Sequence, residues 1–433
     1  MKIKHTLLGL SILSFTILAG ILCPTSVKAV TTSGSYTYDM NGKNTVTILK
    51  YADVEKQVII PATLDGYKVT TIGDSCFKNL DQLEVVAIPD TVKEIQMSAF
   101  FDCDNLNKVQ LPTSVSKIDN YAFGNCRSLA TINLPSKLKT LGKGAFSGCS
   151  SLKTITIPSS ISECGGQVFS MCGKLSTVKF GKDTKKIYNS LFSGCNGLTS
   201  ITIPNTVTTI EESAFMNCAN LSSVKLSSKT KILGQNCFQD CTSLRSITLP
   251  KTLQTCNGYV FRGCSNLSSV KFENGMKIIP SSVLGECTAL TTVSIPSTVT
   301  TIDSYAFYNC ASLQKISFPS SVTAINNHAF EHCTNLSSVK LPAKLKTMGS
   351  EVFQDCVSLK EITIPATVVG LDSRIFNRCE NLTTITFAGK APKSYYQAFE
   401  GITVTATYPK KYANTWKLSI RNKFAGIVNW VKK

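Results

Sequence analysis

Histidine is almost missing, with three in 433 residues, and although there are 18 cysteines no C-x-x-C pair occurs. Structural zinc sites are built from close Cys and His sets, so that class is excluded by spacing. A glycine-rich phosphate loop is also absent. Beyond His5, the histidines are His328 and His332, and the acidic residues are scattered without a repeated pair. No catalytic constellation is expected, and no cofactor. Acid is scarce overall: 27 Asp and Glu face 45 Lys and Arg, for a net charge of +18. That balance favours acidic partners and says nothing about fold. Charged residues make up only 17% of the chain and apolar ones 43%, which excludes a disordered polymer. After residues 6–23 no run is long and apolar enough to span a bilayer.

What is present at the start has the form of an export signal. Lys2, Lys4 and His5 precede the apolar run 6–23, and Val27-Lys28-Ala29 offers a cleavage site after Ala29. The competing reading is an uncleaved anchor. Cys23 follows bulky Leu22, where a lipoprotein signal carries a small residue. The reading is a signal peptide over residues 1–29 and a mature chain that is secreted or at the cell surface.

From residue 80 onward one feature dominates. Cys103, Cys126, Cys149, Cys172, Cys195, Cys218, Cys241, Cys264, Cys287, Cys310, Cys333, Cys356 and Cys379 stand 23 residues apart without an insertion, and Leu80 holds the place one step earlier. Equal spacing over so many units implies stacked coils. Counting each unit from its cysteine, position 4 is Leu throughout, from Leu106 to Leu382. Position 7 is Ile or Val, position 9 is Leu, Ile or Phe, and position 10 is usually Pro. Positions 13 and 16 are mostly aliphatic, and positions 20 and 21 are commonly Ala-Phe, as in Ala306-Phe307.

Positions 7 and 9 alternate around a polar residue, the period of a strand with one buried face. Proline at position 10 ends that strand. Positions 13–16 suit a second short extended segment, and positions 17–23 are expected to form a helical turn that folds Ala and Phe inward. The pattern L-x-x-[IV]-x-[LIF]-P-x-x-[VL]-x-x-[IL]-x-x-x-A-F-x-x-C resembles the BspA-type leucine-rich repeat, over residues 57–407. The resemblance implies a solenoid of 23-residue coils with a parallel sheet on one face, in a secreted or surface-exposed protein. Some members act as adhesins for host matrix proteins or other cells.

Export permits disulfides, and strand spacing would bring equivalent Cα atoms to ~4.8 Å, within bridging range. Without Cys23 the cysteine count is odd, and pairing neighbouring coils would impose a two-coil grouping that the uniform spacing does not show. A column of buried free thiols is the preferred reading. Cys164 and Cys256 at position 16, and Cys76 and Cys237 at position 20, replace inward apolar residues.

The expected division is a hairpin cap with a bulged first coil at 30–79, the solenoid at 80–401 and a second cap at 402–433. Asn41-Gly42 between two alternating segments signals the hairpin. Residues 402–408 read as a last strand and 412–430 as helical. Both tryptophans, Trp416 and Trp430, lie in this tail, as a plug for the last coil or as a sugar-stacking site. No Leu-Pro-x-Thr-Gly sorting motif follows.

Positions 6 and 8 should face outward. Position 6 is Ser or Thr in most units, and position 8 alternates through Thr156, Lys179, Thr202, Lys225, Thr248 and Lys271. Lys179, Lys225 and Lys271, with Lys340 further along, are the candidate ligand-binding residues. The lysines recur every two coils, ~9.6 Å apart at strand spacing, which would suit a polymer of regular negative charge. Duplication of 46-residue blocks also explains the alternation. The expected function is a non-catalytic, adhesin-like binding module for an extracellular protein or an anionic glycan or polymer, acting as a monomer and without nucleic acid. A passive spacer is the alternative.

Overall fold

The computed structural model describes residues 30–272, 275–393 and 396–433. The expected signal peptide, Cys23 included, lies outside the described residues. From the first strands to the tail the chain winds into a solenoid of about 17 turns.

Each coil has three sides. The first carries the strand at positions 6–8. Ser246–Thr248, Ser269–Lys271 and Thr292–Ser294 lie parallel, with every residue opposite its equivalent 23 places on. The alternation sorts side chains, since Ile247 and Val270 are buried while their neighbours are exposed. Proline then turns the chain: the carbonyl of Pro296 accepts the N–H of Val299 at 3.1 Å. The second side is a two-residue strand at positions 15–16. Ile278–Ile279, Thr301–Ile302, Ala324–Ile325, Thr347–Met348 and Gly370–Leu371 form one parallel run.

The third side differs from the expectation of a helical turn. Positions 17–23 form consecutive tight turns with a left-handed residue at positions 19 and 23, such as Tyr305 (φ 59°) and Asn309 (φ 53°). The backbone hydrogen bonds explain why. Alternate N–H groups stay local, with Ala306 donating to the Asp303 carbonyl and Tyr308 to the Tyr305 carbonyl. The others cross to the next coil: Tyr305 to Asn327 at 3.0 Å, Phe307 to Ala329 at 2.9 Å and Asn309 to Glu331 at 2.8 Å. A helix would keep all these donors for itself and leave the neighbouring coil unpaired. Position 23 is mostly Asn, Asp or Gly, as in Asn125, Gly148 and Asp240, the residues that enter the left-handed region most readily.

Inside, the phenylalanines of position 21 form a column. From Phe77 to Phe261 successive rings stack at 4.9–6.0 Å between centroids. Leu284 interrupts the column, which resumes from Phe307 to Phe376. All seventeen described cysteines are free thiols, and the thirteen in the ladder are buried. Each ladder thiol donates to the carbonyl of the position-21 residue one coil earlier. Cys149 reaches the Phe123 oxygen at 3.2 Å, which also accepts the Cys126 N–H at 3.4 Å. Cys310 reaches Leu284 in the same way at 3.2 Å, so the bond does not depend on the aromatic ring. Burial pushes these thiols up, that of Cys149 to about 12. Cys76 and Cys237 are buried as expected, whereas Cys164 and Cys256 are only half-buried.

At the N-terminal end Tyr36–Gly42 pairs antiparallel with Thr45–Tyr51, which in turn runs parallel to Tyr67–Ile72. Tyr36 and Tyr51 extend the ring column outward beyond Phe77. The expected bulge in the first coil is a small hairpin. Thr63–Leu64 folds back antiparallel on Tyr67 and Lys68 through Asp65 and Gly66, both at positive φ, as a type I′ turn requires.

At the other end Thr403–Tyr408 lies between Thr384–Phe387 and Ile427–Lys432, all parallel. The helical expectation for 412–430 holds only for one 3₁₀ turn, Lys410–Thr415, and one α turn, Leu418–Arg421. Trp430 is on the final strand. Trp416 is buried, packs 4.6 Å from Phe387 and donates its indole N–H to the Gly389 carbonyl at 3.2 Å. Trp430 sits half-buried, 5.5 Å from Trp416. The tryptophans close the end of the core and do not present a stacking platform.

Candidate binding face

The first-strand side holds the candidate residues. Its hydroxyl-rich surface has two layers with different work to do. Just before the strand, at positions 3 and 5, polar side chains tie coil to coil. Asn220 and Asn266 donate to the carbonyls of Asn196 and Thr242, and Ser222 and Ser268 to those of Thr199 and Arg245. On the strand itself, positions 6 and 8 project into solvent on either side of the buried position 7.

Lys179, Lys225, Lys271 and Lys340 all occupy exposed sites at position 8. The register places them in one column: Lys179 stands opposite Thr156, Lys225 opposite Thr202, Lys271 between Thr248 and Ser294, and Lys340 opposite Ser317. Lys340 lies apart from the other three. It lines a shallow groove with Ser338, Glu361, Thr363 and Thr384, so its surroundings include an acid. Lys179, Lys225 and Lys271 follow one another in alternate coils and make up the regular part of the proposed column.

Sequence reasoning missed a second row. Lys139, Lys185, Lys231 and Lys277 stand at position 14, again in alternate coils, and all are exposed. In the units that hold Lys179, Lys225 and Lys271, the position-14 lysine follows six residues later, around the proline corner. The signal was present in the same 46-residue period. The two rows put positive charge on both sides of one edge of the solenoid. The acids of this stretch are largely elsewhere: Glu211, Glu212, Asp240 and Glu286 belong to the turn side.

The histidines lie away from this face, on the turn side. Cys333 points inward to the Phe307 carbonyl at 3.2 Å, while His332 points out, so no thiol–imidazole pair forms between them. No helix among the described residues is long and apolar enough to cross a membrane.

Comparison with known proteins agrees with this geometry. No curated protein matches the chain. Among solved structures, a leucine-rich repeat protein from Bacteroides ovatus is 29% identical, covering 77% of this chain and 94% of its own, with a TM-score of 0.66. A leucine rich cell surface protein from Faecalibacterium prausnitzii is 28% identical, covering 84% and 95%, with a TM-score of 0.53. The pneumococcal vaccine antigen PcpA shares the fold at 16% identity and a TM-score of 0.55, covering 94% of this chain and all of its own. The BspA type leucine rich repeat region, a family of repeats in six copies, matches residues 70–199, 185–314 and 300–414. The chain belongs to the BspA-type leucine-rich repeat family, whose solenoids are typically non-catalytic scaffolds for protein interaction.

Proposed function

We propose that this protein is an exported binding module that recognises an extracellular anionic polymer, a sulfated or phosphorylated glycan above all, through the first-strand side of the solenoid. In this reading residues 80–401 form the recognition surface, 30–79 and 402–433 cap it, and the chain works as a monomer at the cell surface or beyond it. The observation that carries the reading is the lysine column Lys179, Lys225 and Lys271, exposed and in register. Lysine is suited to this task because it meets phosphate or sulfate as a flexible point charge and does not require a fixed bidentate geometry. A net charge of +18 supplies a favourable long-range field. The description of the Faecalibacterium relative as a cell surface protein supports the location.

The test is a binding screen of the chain lacking residues 1–29 against sulfated glycans, anionic wall polymers and matrix proteins at low and physiological salt. Saturable binding to a sulfated or phosphorylated polymer that weakens with salt is expected. No binding to any of these ligands would favour the passive spacer.

A further inference from the structure

Both histidines of the described chain sit on the turn side of one coil, and both face acids of that coil or the next. His328 and Glu351 each occupy position 19, and His332 and Asp355 each occupy position 23, so stacking places each pair one above the other. Glu331 lies between the histidines and is buried.

Two groups share Glu331, one with His328 and Glu351 and one with His332 and Asp355, and the His328 group is the tighter. Its Nδ1 lies 2.8 Å from Glu331 Oε2 and 3.4 Å from Glu351 Oε2. One nitrogen and two carboxylate oxygens thus meet within 4.8 Å of one another. At His332 two different ring nitrogens are used, Nε2 towards Glu331 at 3.5 Å and Nδ1 towards Asp355 at 3.4 Å. Asp355 is already paired with Arg378 at 2.5 Å. Among the described residues no Lys or Arg lies within ion-pair distance of Glu331 or Glu351. The nearby Glu286 and Glu400 are taken by Arg262 and Arg374. Arg378 stands close enough to act on Glu331 and Glu351 electrostatically but is paired with Asp355, so neither glutamate has a Lys or Arg in direct contact.

The ring is also held in place. Tyr305 stacks on His328 at 4.5 Å with the two planes 6° apart. Gln354 donates to Glu331 Oε1 at 2.8 Å, which leaves Oε2 turned towards His328. Such partners orient ligand side chains in metal sites.

We propose that His328, Glu331 and Glu351 form a binding site for a divalent first-row transition ion of the zinc class. With metal–ligand bonds of about 2.0–2.1 Å, two ligands of a tetrahedral ion stand about 3.4 Å apart. The His328–Glu351 separation already has that value, and the His328–Glu331 hydrogen bond opens by about half an ångström as its proton leaves. The imidazole disfavours calcium and magnesium, which take oxygen ligands. The side chains keep 21%, 10% and 24% of their surface exposed, so one side stays open to water as a fourth ligand.

The experiment uses zinc and cobalt(II) with the chain lacking residues 1–29, at neutral pH under reductant that does not chelate. Calorimetry should show about one zinc per chain. His328→Asn keeps a residue suited to φ 58° and copies Asn236 at the same position of another coil, and Glu331→Gln copies Gln239. Each should weaken zinc binding tenfold or more, while His332→Asn should change it less than threefold. The cobalt complex should show weak visible bands and lack the intense thiolate charge-transfer band, because the ligands are nitrogen and oxygen. Zinc binding unchanged in His328→Asn, or a thiolate band in the wild-type cobalt complex, would overturn the site. The cobalt spectrum needs no variant, so a thiolate band overturns the site even if a substitution impairs folding.

Discussion

The strand sides and the turn side of each coil are built to different tolerances. On a strand side the backbone is ordinary extended chain, and the sequence need only alternate inward and outward residues. Position 8 can therefore be Thr202 in one coil and Lys225 in the next with the register unchanged. On the turn side every coil commits two residues to positive φ, one aromatic or large aliphatic side chain to the inner column, and one thiol to the carbonyl of the coil before. The turn side is the more constrained part of each coil, although both sides bury residues in one core. The outward strand positions are free to vary.

The largest expected effect comes from pH. The buried thiols have folded pKa values raised above the unfolded value by desolvation, to about 12 for Cys149, Cys218, Cys264, Cys333 and Cys379. A raised folded value means the stabilising difference is complete below the unfolded pKa and is lost as pH rises towards the folded one. One unit above an unfolded thiol pKa of about 8.5, each thiol costs about 1.4 kcal/mol. The fifteen buried ones together exceed the roughly 5–15 kcal/mol that holds a typical domain folded. Under reductant, circular dichroism should show the solenoid stable at pH 8 and unfolded by about pH 10–11. Retention of the fold to pH 12 would mean that the turn side does not depend on neutral thiols.

A single ring comes next. Phe215→Ala, in the unbroken part of the column, should cost about 3–5 kcal/mol in denaturant melts, against about 0.5–1.5 for Ile201→Val on the strand side. A cost below about 1 kcal/mol for Phe215→Ala would show that the ring column is not a packed core. Smaller still is the backbone term. Asn217 has φ 60°, and Asn217→Ala should lose about 1 kcal/mol, while Thr202→Ala on an exposed strand position should stay within about 0.5.

The same contrast governs what the sequence revealed. Strand positions, inward and outward faces and the buried cysteine column follow from period and polarity, because each coil repeats one simple rule. The turn conformation did not. Alanine and phenylalanine at 20 and 21 also suit a helix, and the decisive sign was Asn, Asp or Gly at position 23. The thiol bond to Phe123 was not legible, since hydrophobicity alone accounts for a buried cysteine. The final strand with Trp430 was missed because the tail leaves the 23-residue period that identified every other strand. The His328–Glu351 pair was available in principle: residues 23 apart are neighbours, so a histidine and an acid at equal positions must meet.

Residues of the lysine column are the direct test of the functional reading. Lys179, Lys225 and Lys271 changed together to Thr copy the residue of alternate coils, so the fold should survive. Lys185, Lys231 and Lys277 changed together to Thr remove the same charge from the same coils, around the corner on the second side. Binding of a sulfated glycan should be measured for both triples across a salt series. The first triple should weaken binding tenfold or more and flatten its salt dependence, while the second should have a clearly smaller effect. Equal losses, or no loss in either, would contradict recognition by the first-strand side.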